Sequence, residues 1–256
     1  MVRGLYTAYT GMRNQQHRLD TITNNLANSS TTGYKREGAT AQAFDDMLMT
    51  KLKDGSEGYV DRNVGTMSLG VKIGENYTDY TQGSFKATEN TFDLAIGGSG
   101  FFTLSYTNKR GVESTTYTRD GSFTLNKEGY LVTKDGDFVQ GESGNIRLSR
   151  EADIVFDDDG TIYENGQYAD KLLIADFEDY NYLEKFGENM YRPVEGITEK
   201  DGDFTINQGY LEMSNVNVIS EMVEMIAITR NYETNQKFIQ STDSSLEQTV
   251  TLGTLR

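Results

Sequence analysis

Cysteine is absent from the 256 residues, and histidine occurs once, at His17. Without thiols the chain has neither disulfides nor thiolate metal sites and is indifferent to the redox state of its compartment. A single histidine excludes Ser-His-Asp triads, HExxH zinc sites and two-histidine metal sites. Tryptophan is missing too. Apolar residues make up 36% of the chain, with 16 Tyr and 12 Phe, which is adequate for a globular centre but lean for this length. No stretch reaches the roughly 18 apolar residues of a membrane span, so direct membrane insertion is not expected. The opening Met1-Val2-Arg3-Gly4-Leu5-Tyr6 lacks the apolar run of a secretory signal, so any export is expected without a cleaved signal peptide.

Positive charge is short as well, with 24 Lys and Arg against 39 Asp and Glu and a net charge of −15. Nucleic acid and anionic membranes reward a basic face, so neither is an expected partner. Residues 1–30 carry three basic and one acidic side chain, and residues 215–256 carry three and five, so the two ends together are neutral. The whole excess of negative charge lies in the middle. An acidic middle favours solubility, whereas neutral ends pack against further copies without a large electrostatic penalty.

Leu5, Met12, Leu19 and Leu26 recur every seven residues, with Ala8, Gln15 and Ile22 as companion column, predicting a helix over 4–28. Asn24, Asn25 and Asn28, then Ser29 to Gly33, end it, because these side chains compete for backbone hydrogen bonds. At the other end Val218, Met225, Tyr232, Ile239 and Leu246 repeat by seven, with Met222, Thr229, Gln236, Asp243 and Val250 as second column, predicting a helix over 217–250. An ordinary hairpin of terminal helices and an intersubunit packing element both fit those heptads.

Between them lie short strand-like segments and the turn dipeptides Asp120-Gly121, Asp135-Gly136, Asp159-Gly160, Asn165-Gly166 and Asp201-Gly202. Each is a hairpin signal, since type I′ turns need positive φ. The expected class is therefore α+β. Residues 1–33 plus 215–256 form a coiled-coil-like terminal helical domain, 34–75 a partly flexible connector with an apolar patch at Phe44, Met47, Leu48 and Met49, and 76–214 an inserted antiparallel β domain.

No chemistry emerges from the remaining motifs. Gly97-Gly98-Ser99-Gly100 leads into Phe101-Phe102 and lacks the Lys-Ser/Thr of a phosphate loop. Asp157, Asp159 and Gly160 match the middle of a calcium loop, but Val155 and Gly166 stand where its end ligands belong. No catalytic, cofactor-binding or metal residue is assigned, and no cofactor is expected. Among 39 acids some pair always stands at hydrolase spacing, yet none is singled out.

Three stretches carry a resemblance. From Leu5 to Arg36 the sequence reads LYTAYTGMRNQQHRLDTITNNLANSSTTGYKR. Between Phe92 and Gly141 it reads FDLAIGGSGFF and then YTRDGSFTLNKEGYLVTKDGDFVQG. Gln208 to Ile239 read QGYLEMSNVNVISEMVEMIAITRNYETNQKFI. Together they resemble the flagellar rod and hook axial protein family, departing at Gly98-Ser99, where an acidic or polar pair is commoner. Length and residues 172–193, LLIADFEDYNYLEKFGENMYRP, are most similar to its distal-rod branch.

The resemblance implies a non-enzymatic subunit of the basal body that polymerises into a helical axial filament. Its implied partners are copies of itself, neighbouring rod and hook subunits, and the flagellar type III export apparatus. The implied location is the cell-envelope or periplasmic region. Leu5, Met12, Leu19, Ile22, Leu26, Val218, Met225, Tyr232, Ile239 and Leu246 are the expected packing residues, Leu26 and Ile239 foremost. Asn24, Asn25, Asn28, Asn215 and Asn217 are expected to satisfy backbone groups near the helix ends. A secreted β-rich binding module with oligomerising helices, taking carbohydrate on Tyr and Phe, is the rival reading.

Overall fold

A computed structural model describes residues 2–50, 63–107, 111, 113–187, 189–200 and 202–254. The chain is α+β and divides into two compact units, one of residues 1–26, 37–78 and 218–256, the other of 27–36 and 79–217.

The first unit holds helix α1 (Val2–Ala27) and helix α2 (Val218–Thr254). With 37 residues α2 extends roughly 55 Å at ~1.5 Å per residue. Residues 34–75, expected as a connector, contain three strands and the start of a fourth. Glu37–Ala43 pairs antiparallel with Val71–Thr78, and Met47–Thr50 with Asn63–Met67. The first of these, EGATAQA, has little strand composition and is largely exposed, so backbone pairing rather than side-chain burial defines it. Gly70 (φ 130°) is placed so that a Cβ would strike the Thr10 hydroxyl, bringing bare backbone against α1. Asp54-Gly55, Gly58 and the side chains of Leu48 and Met49 fall outside the described residues.

The second unit is built on an antiparallel sheet centred on Phe101–Thr107, which pairs with Glu113–Thr118, Phe138–Gly141 and Ile174–Phe177. Alternation along that strand sends adjacent side chains to opposite faces. Phe102 enters a core with Leu94, Ile96, Leu131, Ile162 and Ile206, while Phe101 enters a second, aromatic core with Tyr117, Phe177 and Tyr191.

Of the five turn dipeptides, Asn165-Gly166 has positive φ at both residues (52° and 78°) and joins the paired strands Thr161–Glu164 and Gln167–Lys171. Gly136 and Gly160 likewise sit at positive φ inside hairpins. Asp120-Gly121 is not a hairpin, because the strands it joins pair with other partners. The Asp120 carboxylate there accepts from Thr32 Oγ1 and the Ser122 N–H, and Gly121 has no room for a Cβ against the Leu94 carbonyl. Asp201 lies outside the described residues, and the strands on either side of Gly202 pair with Ile174–Phe177 and Leu94–Gly98.

Candidate assembly site

Within the first unit the two helices meet antiparallel. Arg18 Nη2 donates to Glu224 Oε1 at 2.6 Å, and Asn25 Nδ2 to Glu221 Oε2 at 3.3 Å. Toward the other end a Cβ on Gly11 would lie 3.2 Å from Asn235 Nδ2, and one on Gly4 3.4 Å from the Phe238 ring. Gly4, Gly11, Arg18 and Asn25 are one heptad column. This column faces α2, its glycines allow close approach, and Ala8 and Ile22 next to it on the helix are buried. Leu5, Met12, Leu19 and Leu26 lie half-buried beside it.

Apart from Glu224, which is held by Arg18, the less exposed positions on α2 are Glu221, Met225, Ile228, Tyr232, Asn235, Ile239, Thr242 and Leu246, in alternating steps of four and three. Within the single chain all five members of the expected second column, Met222, Thr229, Gln236, Asp243 and Val250, are exposed, and so is Val218, which was expected to pack between subunits. The companion column is instead 221, 228, 235 and 242. Either column completes a heptad with Met225 and Tyr232. The close contacts at Asn235 and Glu221 go with the second, whose one large aliphatic member, Ile228, is 2% exposed.

The displaced column leaves an apolar face uncovered. Val218 (40% exposed), Ile219 (75%), Met222 (50%), Val223 (62%) and Ile226 (55%) occupy the first three turns of α2. Positions 219, 222, 223 and 226 stand at i, i+3, i+4 and i+7, one side of a helix. At the other end of the helix pair, Tyr6 and Tyr9 are both exposed, with ring centroids 6.5 Å apart.

The expected asparagines have separate fates. Asn25 is fully buried, and its side chain accepts from the Glu37 N–H at 3.0 Å and donates to the Glu37 carbonyl at 2.8 Å, pairing α1 with the strand that follows. Asn28 caps a turn through Thr31. Asn215 Oδ1 accepts from the Arg36 N–H at 2.8 Å, and its amide donates to the carbonyls of Asp79 and Thr81. Asn24 and Asn217 are exposed.

Sequence reasoning missed a charged cluster in the second unit. Lys35 Nζ donates to Glu212 Oε1 at 2.7 Å, and Arg119 Nη1 to Glu212 Oε2 at 3.4 Å, with the three side chains 1%, 5% and 1% exposed in the order Lys35, Arg119, Glu212. Burial lowers the Lys35 ammonium below its ordinary pKa, only partly offset by Glu212. Lys35 and Glu212 both stand in the quoted motifs, so the signal was present, but their pairing spans 177 positions. His17 lies on α1, and among the described residues no cluster of His, Asp and Glu is arranged to hold a metal ion.

Three family descriptions match successive parts of the chain. "Flagella basal body rod protein" covers residues 5–35, "Flagellar hook protein FlgE/F/G D1 domain" 95–164, and "Flagellar basal body rod FlgEFG protein C-terminal" 207–252. The flagellar basal-body rod protein FlgG of Buchnera aphidicola from Acyrthosiphon pisum (strain APS) is 34% identical over 97% of this chain and 98% of its own length. FlgG of Bacillus subtilis (strain 168) is 32% identical over 98% and 99%, and that of Agrobacterium fabrum 34% over 94% and 96%. With both helical ends and the sheet between them matched along nearly its full length, the chain belongs to the flagellar basal-body rod protein family, among its FlgG members.

Proposed function

We propose that this chain is a structural subunit of the distal rod, assembling with copies of itself and with neighbouring rod and hook subunits into a helical filament that transmits torque. The end-to-end similarity to FlgG rod proteins carries this reading. The exposed apolar face of α2 supports a place for that contact. A contact between unlike surfaces whose rotation does not close generates an open filament, and the stripe at Val218 to Ile226 and the pair Tyr6 and Tyr9 are unlike surfaces at opposite ends of one helix pair. Coiled-coil-like packing of Leu5, Met12, Leu19, Leu26, Tyr232, Ile239 and Leu246 is completed by neighbours, because these positions are only half-buried in the single chain.

Export by the flagellar type III apparatus, without a cleaved signal, belongs to the same reading. The test is to isolate salt- and detergent-resistant basal bodies from the native cells and weigh the chain by intact-mass spectrometry. The full-length mass in that fraction is expected. Recovery only as a soluble oligomer of fixed size would overturn the rod reading in favour of a secreted binding module.

A further inference from the structure

The buried cluster around Glu212 has an order along the chain, with Lys35 first, Arg119 next and Glu212 last. Among the described residues Glu212 is the one carboxylate that hydrogen-bonds either cation. The other partners of Lys35 and Arg119 are the carbonyls of Thr81, Ile96 and Gly98 and the ring of Phe101, none of which neutralises a charge. Asp79 adds only a weaker attraction through space. The backbone follows the same order. Gly33 N–H donates to the Glu212 carbonyl, and Arg36 N–H to Asn215 Oδ1, so the arm 33–36 finds its partners on the segment 212–215. That segment is itself held by the pairing of Tyr210–Glu212 with Phe85–Ala87 and by the bond from Met213 N–H to the Ser84 carbonyl.

We propose that Glu212 is a closing latch, which keeps the second unit from completing its fold until the segment 209–217 is in place. Before then, docking the arm and closing the sheet around Arg119 buries two cations with no anion, and a buried charge without a partner is strongly unfavourable. The carboxylate reverses that balance by giving both cations an ion-pair partner in one step. Any chain emerging N-terminus first, from the ribosome or through a secretion channel, presents Lys35 and Arg119 well before Glu212. The latch therefore holds the unit open for most of its passage, and it does so independently of the rod assignment.

The test is pulse-labelled hydrogen exchange during refolding of the full chain, read peptide by peptide. In the wild type, amides of 94–107 and 113–119 are expected to gain protection in the same kinetic phase as those of 209–217. In K35M/R119M/E212L, which keeps the segment but removes all three charges, the sheet amides are expected to be protected at least about tenfold sooner than 209–217. An unchanged single phase in that variant overturns the latch. So does a wild type whose sheet is protected before 209–217, and that ordering decides the matter even if the variant does not fold.

Discussion

Placing a carboxylate on the uncovered stripe, by Ile226→Asp, separates assembly from folding. Full burial of a large aliphatic side chain contributes about 1.5–3 kcal/mol. The five stripe residues are each 40–75% exposed, so covering them all contributes roughly 4–8 kcal/mol to a subunit contact. Ile226→Asp forfeits about 1–1.5 kcal/mol of this and buries an unpaired carboxylate, which costs at least ~2 kcal/mol more. A loss of about 3 kcal/mol or more raises the critical concentration for polymerisation on the order of 100-fold. In the single chain the position is more than half exposed, so the change costs the monomer about 0.5–1 kcal/mol. The assay is sedimentation of purified full-length chain across a concentration series, with circular dichroism on the supernatant. Polymerisation of the variant at the wild-type critical concentration would refute the assignment of this face to assembly.

Ile228→Ala, at a 2% exposed position, is expected to cost about 2–5 kcal/mol and to strip exchange protection from α2 while leaving the 94–107 strands protected. Gly33→Ala forces a side chain into φ 68° with its Cβ 2.6 Å from the Arg119 carbonyl carbon, and at least about 2 kcal/mol of lost stability is expected in urea unfolding. Burial by itself would raise the Asp176 carboxyl, but hydrogen bonds from Tyr180, Ser99 and the Phe177 N–H, with Lys200 nearby, hold it below its ordinary 3.8. A folded pKa below the unfolded one contributes stability above pH ~4 that is lost as pH falls through the folded value. The urea midpoint should therefore drop from pH 6 to pH 3, and Asp176→Asn should flatten the part of that drop due to this carboxyl.

Both helices were legible because heptad spacing is a local property, and α1 and α2 begin and end within a few residues of the expected bounds. The antiparallel sheet was legible for a similar reason, since Asn165-Gly166 can hardly be anything but a tight turn. The strands at 37–43 and 71–78 were not, because the alternating apolar residues of EGATAQA are alanines, which have little strand preference, and its order comes from pairing with residues 28 to 41 positions away. The face of α2 turned inward was not legible either. Either of two companion columns fits beside Met225 and Tyr232, and only the three-dimensional meeting of Asn25 with Glu221 and of Gly11 with Asn235 selects the column of Ile228 over that of Met222 and Gln236. Periodicity thus determined that this chain has helical ends and a β middle. Tertiary structure alone decided which apolar face is spent inside the first unit, which stays exposed, and that Lys35, Arg119 and Glu212 meet, because contacts across 177 and 93 positions leave no periodic trace in the sequence.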